Sequence, residues 1–223
     1  KMHGGVEKEN LKHESIEALK SGLVNLERHI NNIKKFGLEP VVAINHFALD
    51  TKKEVEVVLS FCKKMGVQVS ECKHWANGGK GTMDLAKKVV KACKESKKQK
   101  FKFLYNDDQS LWSKIETIAK EIYKADKITA PDEVKEQLKI FENNGHGNLP
   151  VCIAKTQYSF STDPKLKGAP SNHEKPIREV RLSSGAEFVV VVCGSIMTMP
   201  GLPRVPAADS IKLNKKGDIE GLF

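Results

Sequence analysis

The sequence predicts an α/β fold: a parallel sheet with helices packed on its faces, followed by a smaller α+β portion. Three observations predict it. Amphipathic helical stretches alternate with short apolar runs through the first hundred residues. The runs "VVAIN" and "VQVSEC" are strand-length, and each leads through a polar loop into a helix, the order of a parallel sheet. In the second half, "IREVRLS" and "AEFVVVVCG" are separated only by a short Ser–Gly turn, the order of a hairpin.

Each element has its own signal. Ile16, Leu19, Leu23, Leu26, Ile30 and Ile33 recur at steps of three and four, so residues 11–36 read as a helix with one apolar face. Gly37 and Pro40 end it. "VVAIN" is apolar and β-branched, which predicts a strand buried on both faces. "TKKEVEVVLSFCKKMG" reads as a helix turning Val55, Val58, Leu59 and Cys62 inward. "VQVSEC" reads as a strand and residues 82–96 as a helix. The charge run "KESKKQK" marks a domain edge, dividing residues 1–100 from 101–223. Beyond it, "FKFLYN" reads as a strand. Residues 110–124 read as a helix with Ile115, Ile118, Ala119 and Ile122 on one face. Pro131 suits the first turn of a helix reaching Asn143. "NLPVCIAKT" reads as a strand, and "STDPKLKGAPSNHEKP" as a long polar loop. The hairpin turns at Ser183–Gly185, and the proline-rich "MTMPGLPRVPAADS" follows an extended path.

Composition narrows the function. The 223 residues carry a net charge of +9, with 39% hydrophobic and 29% charged side chains, as in a soluble globular chain. The longest apolar run is strand-sized, so no membrane partner is expected. The five cysteines are odd in number and lack a C-x-x-C pair, which points to buried thiols in a reducing compartment and no metal site. The lysines are spread along helix faces without interleaved aromatics, so nucleic acid is not expected. A solvated surface is the plain account of them, and an anionic small molecule is the main competitor. The opening "KMHGGVEKEN" reads as the inside of a longer chain.

Three polar clusters follow strand ends, where open parallel sheets bind ligands. The first is "AINHFALDT". Asn45 ends the strand with a donor and an acceptor, Phe47 occupies a polar loop, and Asp50 or Thr51 can cap the next helix. The second is "HWANGGKG", with Trp75 before a loop containing Gly78 and Gly79. Phe47 and Trp75 share one edge of the expected sheet and could hold a flat ring between them, each aromatic contact worth about 0.5–1.5 kcal/mol beyond burial. The glycines would permit positive φ or close backbone approach to a ligand. "GGKG" lacks the spacing of a phosphate loop. Core cover by Trp75 and Phe47, with capping by Asp50 and Thr51, is the competing account. The third cluster is "AKTQYSFS", in which Lys155 and Thr156 lead the polar residues; its plain reading is an edge turn. No Ser-His-Asp set or carboxylate pair stands out, and no catalytic residue is assigned.

The motifs "KMHGGV", "PVVAINHFALDT", "HWANGGKG", "GNLPVCIAKTQYSFS", "IMTMPGLPRVPAA" and the terminal "GLF" occur in order over the whole chain and resemble the formate–tetrahydrofolate ligase family. The resemblance implies an ATP-dependent ligase of one-carbon metabolism, cytoplasmic and homotetrameric. Formate is activated by MgATP as formyl phosphate and passed to tetrahydrofolate. It also implies a monovalent cation as a further cofactor, and a pterin clamped between a Phe and a Trp, matched here by Phe47 and Trp75. The family chain is more than twice as long. This chain therefore looks like its C-terminal part, without the portion that binds ATP and Mg, and inactive alone. Residues 1–100 would then be the end of a P-loop-type α/β domain carrying the clamp. A non-catalytic folate-like binding or interaction module is the alternative.

Overall fold

Residues 1–96, 101–196 and 204–221 are described by the computed structural model. The lysine run at 97–100, the stretch at 197–203 and the last two residues lie outside them. So does part of each expectation placed there: the "KESKKQK" edge, the proline-rich segment and "GLF".

Helix α1 (Ile16–Lys35) buries Leu23 and Ile30, two positions of the predicted stripe. It ends at Phe36, and Gly37 takes a φ of 72°. Strand β1 (Val41–Asn45), helix α2 (Lys52–Lys64) and strand β2 (Gln68–Cys72) follow. The two strands pair in parallel, from Val41 opposite Gln68 to Asn45 opposite Cys72. The short helix α3 (His74–Asn77) and a 3-10 turn lead into α4 (Met83–Ser96). Ile30, Cys62 and Val67 form the buried centre of this half, with Leu26, Val42, Val58 and Phe61 packed around them. Two parallel strands do not by themselves define a P-loop-type sheet.

The second half holds α5 (Leu111–Glu121), β3 (Ala125–Thr129), α6 (Asp132–Phe141), β4 (Val151–Ala154), β5 (His173–Ser183) and β6 (Phe188–Cys193). The sheet is mixed, in the order β3-β5-β6-β4. β5 and β6 form the antiparallel hairpin, and each has a parallel neighbour outside it. Leu111, Ile115, Val134, Leu138 and Phe141 from the two helices close over Ile177, Val189, Val191 and Cys193 of the hairpin. A small exposed hairpin of β7 (Lys212–Leu213) and β8 (Ile219–Glu220) follows.

Helix α1 joins the two halves. Asn32 Nδ2 donates to the Ile122 carbonyl at 3.0 Å, Lys35 pairs with Glu121 at 2.5 Å, and Arg28 donates to the carbonyls of Ala169 and Pro170. These bonds cross the expected boundary at residue 100.

Several elements differ from expectation. "FKFLYN" forms no strand: Phe101 and Phe103 are exposed, Phe101 stacks on Phe36 and meets Phe103 edge-on, and the Tyr105 hydroxyl accepts from Val151 N. β3 was not foreseen, and β5 begins at His173, inside the stretch read as loop. Pro131 caps α6 rather than entering its first turn, and α6 ends at Phe141 before a distorted turn with Gly145 at φ 84°. β1 is only partly buried because its second edge has no strand partner among the described residues. Cys62, Cys72 and Cys193 are buried as expected, but Cys93 and Cys152 are exposed.

Candidate functional site

The loop after β1 is held by local bonds. Asp50 Oδ2 accepts from Phe47 N at 2.8 Å, and Asp50 N donates back to the Phe47 carbonyl. Thr51 caps α2: its hydroxyl accepts from Glu54 N, and the Glu54 carboxylate reaches back to Thr51 N in a capping box. Glu54 is buried and also accepts from Ser15 N and Lys1 Nζ. Burial alone would raise its pKa, but the bonds from Lys1, Ser15 and Thr51 reverse that and hold it below the usual carboxylate value. The residues expected near Phe47 thus serve its loop: Asp50 fixes the backbone and Thr51 starts the helix. Asn45 ends β1, exposed.

Because β1 and β2 are parallel and adjacent, their following loops leave the sheet at the same edge. His46 N donates to the Cys72 carbonyl at 3.0 Å, carrying the pairing one residue beyond the strands. Phe47 and Trp75 are therefore neighbours, with ring centroids 6.3 Å apart and planes inclined by 46°. Phe47 is 51% exposed and Trp75 75%. Neither ring covers the core.

The glycine loop has a different division of labour from the one its composition suggests. Gly81 carries the tight approach: a Cβ there would lie 2.5 Å from the backbone C and O of Lys73. Lys73 N donates to the Gly81 carbonyl at 3.1 Å, so this glycine closes the base of the loop that carries Trp75. Gly78 adopts φ 53°, and Gly79 faces open space. No cradle of amides for a phosphate chain is built here. Among the described residues no three His, Cys, Asp or Glu side chains are grouped to hold a metal ion. The described residues of this loop do not fit MgATP.

Lys155 and Thr156 lie elsewhere. They line a cavity of about 320 Å3 whose walls include none of the residues around Phe47 and Trp75. Lys155 Nζ donates to the carbonyls of Thr156 and Ser159, and burial lowers its pKa. His3, Asn25, His29 and Tyr123 complete the polar wall; these were not legible in the sequence because they are scattered over 120 positions with no motif spacing.

Two exposed rings thus stand at the carboxyl edge of a parallel strand pair in an α/β fold, the edge at which open parallel sheets bind ligands. Comparisons with known proteins show the family. The family model of formate–tetrahydrofolate ligase matches residues 1–223. The chain is 64% identical over 223 residues to the formate–tetrahydrofolate ligase of Pelagibacter ubique (strain HTCC1062). It is 57% identical over 222 residues to that of Hyphomonas neptunium (strain ATCC 15444), and 55% over 223 residues to that of Roseobacter denitrificans (strain ATCC 33942 / OCh 114). The chain belongs to the formate–tetrahydrofolate ligase family. Each of these alignments takes in 100% of this chain and 40% of the relative, so the chain spans well under half the length of the curated relatives it matches.

Proposed function

We propose that this chain is the folate-holding part of a ligase that joins formate to tetrahydrofolate at the expense of ATP, and that Phe47 and Trp75 are the two jaws for the pterin. The observation that carries this reading is the aromatic pair itself: two exposed rings, 6.3 Å apart, on the loops after two paired parallel strands. Exposing both rings forfeits core burial of two large apolar side chains, which a flat ligand would restore. Stacking orients the pterin and shields one region of it from water, so that the acceptor amine is presented in a fixed place. ATP and Mg belong, in this reading, to residues outside the chain, and the whole enzyme is a cytoplasmic homotetramer that also uses a monovalent cation.

Two experiments test it. In the whole ligase, Trp75→Ala should raise the KM for tetrahydrofolate about 5- to 150-fold, from a stacking contribution of about 1–3 kcal/mol, and leave the KM for ATP unchanged. A lower Tm with both KM values intact would mean that Trp75 only supports the loop. Residues 1–223 alone should show no formate-dependent ATP turnover, because phosphoryl transfer from ATP needs a metal-holding set that the described residues do not assemble. Turnover by the isolated chain would contradict the division of labour.

A further inference from the structure

The cavity of about 320 Å3 at Lys155 has a chemistry the aromatic pair does not explain. Its wall gathers His3, Asn25, His29, Tyr123, Lys155 and Gln157 from four separate stretches of chain, and no Asp or Glu lines it. Beneath Tyr123 lies a second lysine. Lys175 is fully buried, its Nζ sits 4.0 Å from the Tyr123 ring centroid, and it has no hydrogen-bond partner among the described residues. Lys155 Nζ lies 5.2 Å from the same ring centroid. Two ammonium groups thus share one aromatic ring.

A buried charge is ordinarily paired. Lys114, the other fully buried lysine, shows the ordinary solution: its Nζ donates to two carbonyls, with Asp107, Glu142 and Asp108 near enough to favour its charge. At the Lys155 cavity no carboxylate among the described residues acts on His3, His29, Lys155 or Lys175. The charged groups that act on them are one another, Lys167 and the amino-terminal ammonium, all of one sign; the nearby Cys193 thiol is kept protonated, and so neutral, by burial. Lys155 retains one of its three N–H donors after bonding Thr156 and Ser159. His3 Nδ1 accepts from Gly168 N at 3.2 Å, which leaves its Nε2–H free to donate.

We propose that this cavity is a binding site for a small anion bearing a phosphate or carboxylate group, held by Lys155 and the imidazole and amide donors of the wall, with Lys175 supplying field from below. The volume stands at the lower end of ligand pockets, which suits a compact anion rather than a nucleotide. The proposal does not depend on the role of Phe47 and Trp75.

The test is calorimetric titration and thermal denaturation of the chain with inorganic phosphate and, separately, with glutarate, each against chloride at equal ionic strength. The expected result is saturable binding and a raised Tm with at least one of the two; which one responds separates a phosphate ligand from a carboxylate ligand. Lys155→Met should weaken that binding about tenfold or more, the scale of one charge-assisted hydrogen bond, and so isolate this cavity from any other anion site. Lys175→Met should weaken it without lowering Tm in chloride, which separates an electrostatic role from a folding role. Neither anion acting beyond chloride, or unchanged affinity in Lys155→Met, would overturn the proposal.

Discussion

Lys114 and Lys175 are both fully buried, yet replacing each by methionine should move stability in opposite directions. Methionine keeps the length and removes the charge. At Lys114 it takes the donor from the carbonyls of Gly147 (2.7 Å) and Leu149 (3.1 Å). Two half-buried carbonyls that lose their donor cost about 1–3 kcal/mol each, and relief of the buried ammonium returns part of that, leaving a loss of about 2–4 kcal/mol. At Lys175 no hydrogen bond among the described residues is lost. Burial holds its pKa down at about 8, against an ordinary 10.5. The native state therefore binds this proton less readily than the unfolded chain, at a cost of about 3 kcal/mol below pH 8. The contact with Tyr123 offsets about 1–2 kcal/mol of it. Lys175→Met should then gain about 1–2 kcal/mol at pH 7. The gain should fade as pH rises from 8 toward 10.5, where the folded and unfolded chains both lose the proton. For a chain of this size about 2–4 °C of Tm corresponds to 1 kcal/mol. Differential scanning calorimetry in a chloride buffer should show Lys114→Met lower by about 4–16 °C and Lys175→Met higher by about 2–8 °C. A fall in Tm for Lys175→Met at pH 7, or a gain that persists unchanged at pH 10.5, would refute the account of Lys175 as an uncompensated charge.

The loops around the aromatic pair give two more expectations. Thr51→Ala removes one cap bond from α2 and should cost about 1 kcal/mol, read as a Tm lower by about 2–4 °C, with the KM for tetrahydrofolate unchanged in the whole ligase. Gly81→Ala forces a Cβ to within 2.5 Å of the Lys73 backbone, so it should lower both Tm and folate affinity, whereas Gly79→Ala, which meets open space, should do neither; equal behaviour of the two variants in a paired Tm and KM measurement would contradict the role given to Gly81.

The helices were legible because their apolar steps are local: Leu23, Ile30, Val55, Cys62, Ile115 and Ala119 are buried where periodicity placed them. The parallel pairing of β1 and β2 was legible for a similar reason, since each strand runs through a loop into a helix. β3 was not, because "ADKIT" has no apolar run and owes its extended form to pairing with β5. The start of β5 was hidden by its charges and Pro176, and Lys175 there is buried only by tertiary packing around Tyr123. "FKFLYN" misled in the other direction: its alternating aromatics satisfy one another on the surface instead of entering a sheet. At the candidate site, the nearness of Phe47 to Trp75 followed from strand order, but the distinction between Gly81 and its neighbours depends on backbone contacts that no local pattern records. The cavity at Lys155 drew one legible cluster, "AKTQYSFS", toward histidines and a tyrosine that only folding brings together.

The most direct test of the central claim is a crystal structure of the chain with tetrahydrofolate bound. The rings of Phe47 and Trp75 now meet at 6.3 Å and 46°. With a pterin between them the account predicts near-parallel planes and a centroid separation of about 7 Å, two stacking distances. A bound pterin elsewhere, with the two rings still in mutual contact, would contradict it.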